Sequence, residues 1–213
     1  MPGEKVKFIS FEGGEGCGKT TQSRRLVAHF QKLGLEVLHT REPGGSSGAE
    51  NIRNLLVNRE AFSWQPETEL LLMNAARIEH VRCVIQPALA QGKFVVCDRF
   101  VDSSIAYQGY ARGMGEDFVW MLHNLCCGNI LPDLTFFLDI KPEDGLKRAL
   151  SRAGAAAGET KFEALGLEFH QAVYAGFCAL AEKYPQRIVR IAADCAEDEV
   201  FASILEVTEK RFL

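Results

Sequence analysis

Gly13-Gly14-Glu15-Gly16-Cys17-Gly18-Lys19-Thr20 constrains this chain more than any other stretch, because it matches G-x-x-x-x-G-K-S/T and joins two kinds of periodicity. Before it, Lys7-Phe8-Ile9-Ser10-Phe11 is a short β-prone run. After it, Lys19 to Leu33 carries apolar residues at helical spacing and stops at Gly34. A strand that breaks into glycines and resumes as a helix can turn successive backbone N–H groups toward a phosphate. The helix N-terminus adds partial positive charge and Lys19 a full one. Residues 13–20 are therefore expected to bind a nucleoside triphosphate, with Thr20 holding Mg²⁺.

The same strand–helix alternation continues along the chain. Strand signals recur at Val37-Leu38, Phe94–Cys97, Leu134–Leu138 and Ile188–Ile191. Helical periodicity predicts helices near Ala49–Val57, Glu67–Gln91, Glu116–Cys126, Pro142–Arg152, Ala164–Tyr184 and Glu197–Phe212. Five strands interleaved with helices imply an α/β fold with a parallel, helix-covered sheet. A length of 213 residues suits a single domain, 1–213. The small-residue stretch Ala153-Gly154-Ala155-Ala156-Ala157-Gly158 lies between two helices, as a lid over about 151–163 or as a surface loop.

A net charge of −4 argues against a broad nucleic-acid surface, so any anion must be held by local positive charge. The first residues lack an apolar signal core and no later run reaches the length of a membrane span, which places the expected location in the cytoplasm. Seven cysteines without a C-x-x-C pair read as reduced thiols, and scattered histidines complete no zinc pattern.

Asp98 closes the apolar strand Phe94–Cys97, where proteins with this loop commonly keep an acidic residue for magnesium. The D-x-x-G and N-K-x-D strings of a GTPase switch are absent. Arg41, Arg53, Arg77 and Arg99 lie near predicted strand ends and form a pattern suited to a second phosphate.

Arg41-Glu42-Pro43-Gly44-Gly45, Asp98-Arg99-Phe100 and its continuation Asp102 to Gly109 resemble motifs of the thymidylate kinase family, as do Ala75-Ala76-Arg77 and Pro132 to Asp139. The resemblance runs from near Phe8 to the last strand. It implies a P-loop fold of the nucleoside-monophosphate kinase type, with five parallel strands and a short lid. It also implies transfer of the γ-phosphoryl of ATP to dTMP, and a homodimer; the helix Glu67–Gln91, with more apolar surface than one core face needs, is either a buried core helix or the interface of that dimer. By motif position, Arg99 would grip the acceptor phosphate with Arg53 as a further partner, and Arg77 would hydrogen-bond the pyrimidine edge. Tyr107 would press on the sugar and Glu15 would turn toward the acceptor. Glu42 would support metal and water, while Pro43, Ser103, Ser104 and Gln108 complete the substrate set.

The chain departs from the family pattern at three places. Gly16 stands where some members carry a catalytic arginine, which resembles the bacterial type that draws this charge from the lid. The lid match is Thr160-Lys161-Phe162-Glu163, with lysine for the usual arginine, so Lys161, Arg152 and Arg148 are all candidates for the catalytic cation. Met73 replaces the usual phenylalanine four residues before Arg77, which leaves base choice less strict. Two other readings stay open: a kinase for another pyrimidine nucleotide or a deoxynucleoside, and a nucleotide-binding protein without turnover.

Overall fold

The computed structural model describes residues 7–57, 64–153 and 165–212. Five strands form one sheet: β1 (Phe8–Glu12), β2 (Val37–Arg41), β3 (Phe94–Asp98), β4 (Leu134–Asp139) and β5 (Ile188–Ala192). Their order is β2-β3-β1-β4-β5 and every pairing is parallel. Each of the five expected strands is present, and each runs one residue or more beyond its apolar run because the ladder continues into polar residues such as Glu12 and Asp98.

The alternation of side chains along the strands sorts the core into two layers. Ile9, Phe11, Val96 and Phe136 face one side, under α1 (Lys19–Lys32) and the last helix, Glu197–Phe212. Phe8, Val95, Cys97 and Phe137 face the other side. There they meet α3 (Pro66–His80), which follows α2 (Ser47–Val57), and helices from the second half of the chain. Strands β1, β3 and β4 are buried on both faces, so their sequences read as nearly continuous apolar runs.

The helix expected over Glu67–Gln91 is one helical run with a change of winding. After α3, residues Val81–Ile85 wind as a π-helix and α4 (Gln86–Ala90) completes the run. Pro87 has no N–H to offer the preceding turn and its ring crowds that turn's carbonyl, and the wider winding relieves both.

A second π-helical segment, Ile105–Ala111, follows α5 (Val101–Ser104) and had no counterpart among the expected helices. Its Gln and Gly residues carry little helical periodicity. Packing holds it instead: a Cβ on Gly176 would lie 3.1 Å from the Ala106 Cα, so the helix Leu167–Lys183 approaches at backbone distance.

The remaining helices, α6 (Glu116–Cys127), α7 (Pro142–Ala153), α8 (Leu167–Lys183) and α9 (Glu197–Phe212), agree with expectation to within a few residues. The lid segment beyond residue 153, including Lys161, lies outside the described residues. Among the described residues no helix is long and apolar enough to cross a membrane.

Candidate active site

β1 and its neighbour β3 send their connections to opposite sides, β1 toward β2 and β3 toward β4, so a crevice opens above the C-terminal ends of the strands. A cavity of about 800 Å³ occupies it. From the phosphate loop it is lined by Glu15, Gly16, Gly18, Lys19 and Thr20. From the second and third strand ends come Glu42, Pro43, Asp98 and Arg99, and from the helices Arg53, Met73, Arg77, Ser103, Ser104, Tyr107 and Gln108. Gly13, Gly14 and Cys17 belong to the same loop behind this wall.

Lys19 Nζ donates to Gly14 O at 2.7 Å and Gly13 O at 3.1 Å, and lies 3.4 Å from Cys17 Sγ. The Gly13 carbonyl also accepts from Arg99 Nη1 at 3.0 Å. Two cations from distant parts of the chain therefore share one oxygen, and a neutral carbonyl is a weaker acceptor than a phosphate oxygen. Gly16 has φ 70°, and a Cβ there would fall 1.9 Å from Gly145 O on α7. The loop and α7 meet backbone to backbone at this point, which leaves no room for an arginine in place of Gly16.

Arg99 adopts φ 70°, a left-handed conformation that costs a non-glycine residue roughly 1–2 kcal/mol. It follows the end of β3 directly, and this turn sends its side chain back over the loop. Nη2 pairs with Glu15 Oε1 at 2.9 Å and Nη1 donates to Ser103 Oγ at 3.1 Å. The Tyr107 hydroxyl donates to the same Glu15 oxygen at 2.7 Å. Burial works to raise the Glu15 pKa, but the Arg99 and Lys19 charges and the Tyr107 hydroxyl overcome it and hold it at about 2. Glu15 is thus an ionised anchor and a poor proton acceptor.

A second cluster stands at the β2 end. Glu42 accepts from Arg77 Nε at 2.7 Å and from His80 Nδ1 at 3.0 Å, while His80 Nε2 lies 2.6 Å from Thr40 Oγ1. Burial opposes the Glu42 charge, but Arg77 and His80 more than compensate and its pKa is lowered. Glu42 Oε2 is thereby paired with Arg77 and Oε1 with His80, at the wall of the cavity. Arg77 Nη2 donates to Ser104 Oγ at 2.8 Å, and Nη1 is buried without a hydrogen-bond partner among the described residues. Met73 lines the same part of the cavity with Leu38, Val84 and Phe100. Gln108 Nε2 donates to buried Glu69, a carboxylate that can only accept, so the amide oxygen is the end turned away from Glu69.

Thr20 Oγ1 donates to Asp98 Oδ2 at 2.5 Å, bringing a hydroxyl and a carboxylate together beside the phosphate loop. Two hard oxygens at a phosphate site suit Mg²⁺, which takes few protein ligands and fills its shell with water and substrate oxygens. No group of three or more His, Cys, Asp or Glu side chains with metal-binding geometry occurs among the described residues.

Arg53 Nη1 donates to Pro43 O at 2.7 Å, and Arg41 pairs with Glu50. Arg148 Nη1 donates to Ala193 O at 2.8 Å, at the end of β5. Arg152 is the penultimate residue of α7, three residues after Ala149, which lines the cavity. Glu12 and Glu69 were not among the expected site residues. Both are buried carboxylates inside motif-rich stretches, and a charged residue where periodicity predicts an apolar one is the signal that marks them.

The thymidylate kinase family model matches residues 11–204. The chain is 49% identical to thymidylate kinase of Caulobacter vibrioides over 204 residues, covering 96% of each protein. It is 50% identical to that of Dinoroseobacter shibae over 199 residues, covering 93% of this chain and 94% of the other. The crystal structure of thymidylate kinase from Ehrlichia chaffeensis superposes with a TM-score of 0.77 at 34% identity, covering 95% of this chain and 98% of that one. With a phosphate loop, an arginine turned onto it from β3 and near-complete coverage on every comparison, this chain belongs to the thymidylate kinase family.

Proposed function

We propose that the chain transfers the γ-phosphoryl group of ATP to dTMP, giving ADP and dTDP, as one domain over residues 1–213 with a lid at about 151–163. The observation that carries this reading is the meeting of Lys19 and Arg99 on Gly13 O. One cation comes from the donor side and the other from the acceptor side, at the place where two phosphate anions must be brought together. Family membership supports dTMP as the acceptor, and no observation favours another acceptor or loss of turnover.

A phosphate monoester has a second pKa near ~6, so dTMP arrives as a dianion and needs no general base. Glu15, held at a pKa of about 2, is suited to anchoring rather than to accepting a proton. Its carboxylate fixes Arg99 for the acceptor phosphate and Tyr107 against the sugar, where a 2′-hydroxyl would collide. Lys19 exchanges its loop carbonyls for phosphate oxygens, and the N–H groups of residues 13–20 surround the donor. Thr20 and Asp98 hold Mg²⁺, which when bound neutralises charge on the donor phosphates. Arg53 assists at the acceptor phosphate. Arg77, locked by Glu42, offers Nη1 to the pyrimidine edge, while Met73, Pro43, Ser103, Ser104 and Gln108 shape the remaining wall. Lys161 or Arg152 supplies the lid cation.

The chain acts as a homodimer on this reading. Leu71 on α3 is 56% exposed, and on α6 Met121 and Leu125 are 58% and 81% exposed, apolar surface that a second subunit would cover.

A coupled ADP-release assay with Mg-ATP tests the function against dTMP, dUMP, UMP, CMP, AMP, thymidine and no acceptor. dTMP is expected to give the highest kcat/KM, with dUMP second because Met73 replaces an aromatic ring. Silence across the panel despite ATP binding, or a preference for thymidine, would overturn the reading. Lys161→Ala and Arg152→Ala identify the lid cation: the substitution that lowers kcat with little change in KM marks it.

A further inference from the structure

Glu12 ends β1 and is fully buried, yet the chemistry above gives it no part. Its Oε1 accepts the Phe100 N–H at 2.7 Å and its Oε2 accepts the Ser103 hydroxyl at 2.5 Å. Ser103 Oγ in turn accepts from Arg99 Nη1 at 3.1 Å. With Glu12 ionised the direction of this relay is set by both ends: the guanidinium only donates and the carboxylate only accepts, so the Ser103 proton points to Glu12.

The backbone tells the same story. Arg99 sits at φ 70°, and the amides on either side of that turn are both held by β1. The Arg99 N–H donates to Phe11 O at 3.0 Å, and the next N–H, that of Phe100, goes to the Glu12 side chain. We propose that Glu12 is a positioning residue for phosphoryl transfer: its carboxylate locks the left-handed turn at Arg99 and, through Ser103, aims the Arg99 guanidinium at the acceptor phosphate. The inference rests on the reading of Arg99 as the clamp on that phosphate.

A carboxylate is costly at this position. Burial and the neighbouring Asp102 charge push the Glu12 pKa up to about 8, against the pull of Ser103, Arg99 and the Phe100 amide, so the carboxylate form that the relay uses prevails above that pH. Asp102 is itself paired with Arg187 at 2.6 Å and 2.7 Å, which limits the repulsion. Glutamine has the same shape without the charge, but it can accept at one end only. Its amide N–H₂ would face Ser103 Oγ, which already receives Arg99 Nη1, and the relay would reverse against the guanidinium.

Glu12→Gln, Arg99→Ala and the double variant are compared at about pH 9, where Glu12 is ionised, by kcat and by KM for dTMP and for ATP, with folding followed by circular dichroism. Glu12→Gln is expected to raise KM for dTMP by about tenfold and to leave KM for ATP within about twofold. The double variant is expected to match Arg99→Ala within about twofold, because the two residues act as one unit. An unchanged KM for dTMP in Glu12→Gln overturns the inference, as do equal rises in both KM values or effects that multiply in the double variant. If Arg99→Ala alone leaves dTMP kinetics unaltered, the clamp reading fails and the inference falls with it, a result visible without Glu12→Gln. Should Glu12→Gln not fold, Ser103→Ala breaks the same relay one bond further on and is judged by the same comparison.

Discussion

Glu15 illustrates how one residue of the loop is set by partners far away in sequence. Its position in the motif allows a carboxylate, but Arg99 and Tyr107 turn it into an anchor with a pKa of about 2. In the unfolded chain the same group titrates near 4.5. A folded pKa below the unfolded one means that the stabilisation is fully present above the unfolded value and is lost as pH falls toward the folded one. Between pH 5 and pH 3 the protein should therefore lose roughly 2 kcal/mol through this group alone. Denaturant titrations at the two pH values check this: Glu15→Gln should show a smaller loss by that amount, and an identical pH dependence in both proteins would dismiss the assignment. Arg77 makes a related point. Its arginine was identified from a motif, but the Glu42–His80–Thr40 chain that immobilises it became visible only when α3 was packed beside the end of β2.

At the scale of elements, the contact between the phosphate loop and α7 decides which catalytic devices the chain can use. Gly16 and Gly145 approach so closely that a Cβ on Gly145 would lie 2.4 Å from Glu15 O. Gly16→Arg should therefore not move the lid's charge into the loop. It should lower kcat and cost at least ~1–2 kcal/mol from the left-handed backbone alone, with the clash against α7 in addition. Melting curves and initial rates together check this, and a stable, fully active Gly16→Arg protein would contradict it. The strands and most helices could be read locally, because the buried strands are short apolar runs and the helices repeat an apolar side chain every third to fourth residue. The π-helical stretch Ile105–Ala111 could not, since tertiary packing against Gly176 rather than its own sequence pattern maintains it. That stretch carries Tyr107 and Gln108, so the motif revealed the site residues while hiding the element that presents them.

For the whole molecule, the sheet order puts β1 between β3 and β4 and opens the crevice above the phosphate loop. Helices α3 and α6 carry the exposed residues Leu71, Met121 and Leu125. A homodimer that covers them needs on the order of 800 Å² per partner. Sedimentation at micromolar concentration is expected to give twice the chain mass, and Met121→Asp with Leu125→Asp to give the single-chain mass. A wild-type monomer under those conditions would remove the dimer from the account.

The amino-acid sequence by itself determined the phosphate loop, the alternation of strand and helix, and the identity of Lys19, Thr20, Asp98, Arg77 and Arg99 as candidates. These follow from local backbone preference and from chemistry carried within a few neighbouring residues. Only the tertiary structure decided the strand order, the left-handed turn that sends Arg99 over the loop, and the buried partners Glu12, Glu42 and His80. Glu12 and Ser103 stand 91 residues apart in the chain. Whether two such groups meet depends on how the helices close over the sheet, and no periodicity in either segment encodes that distance.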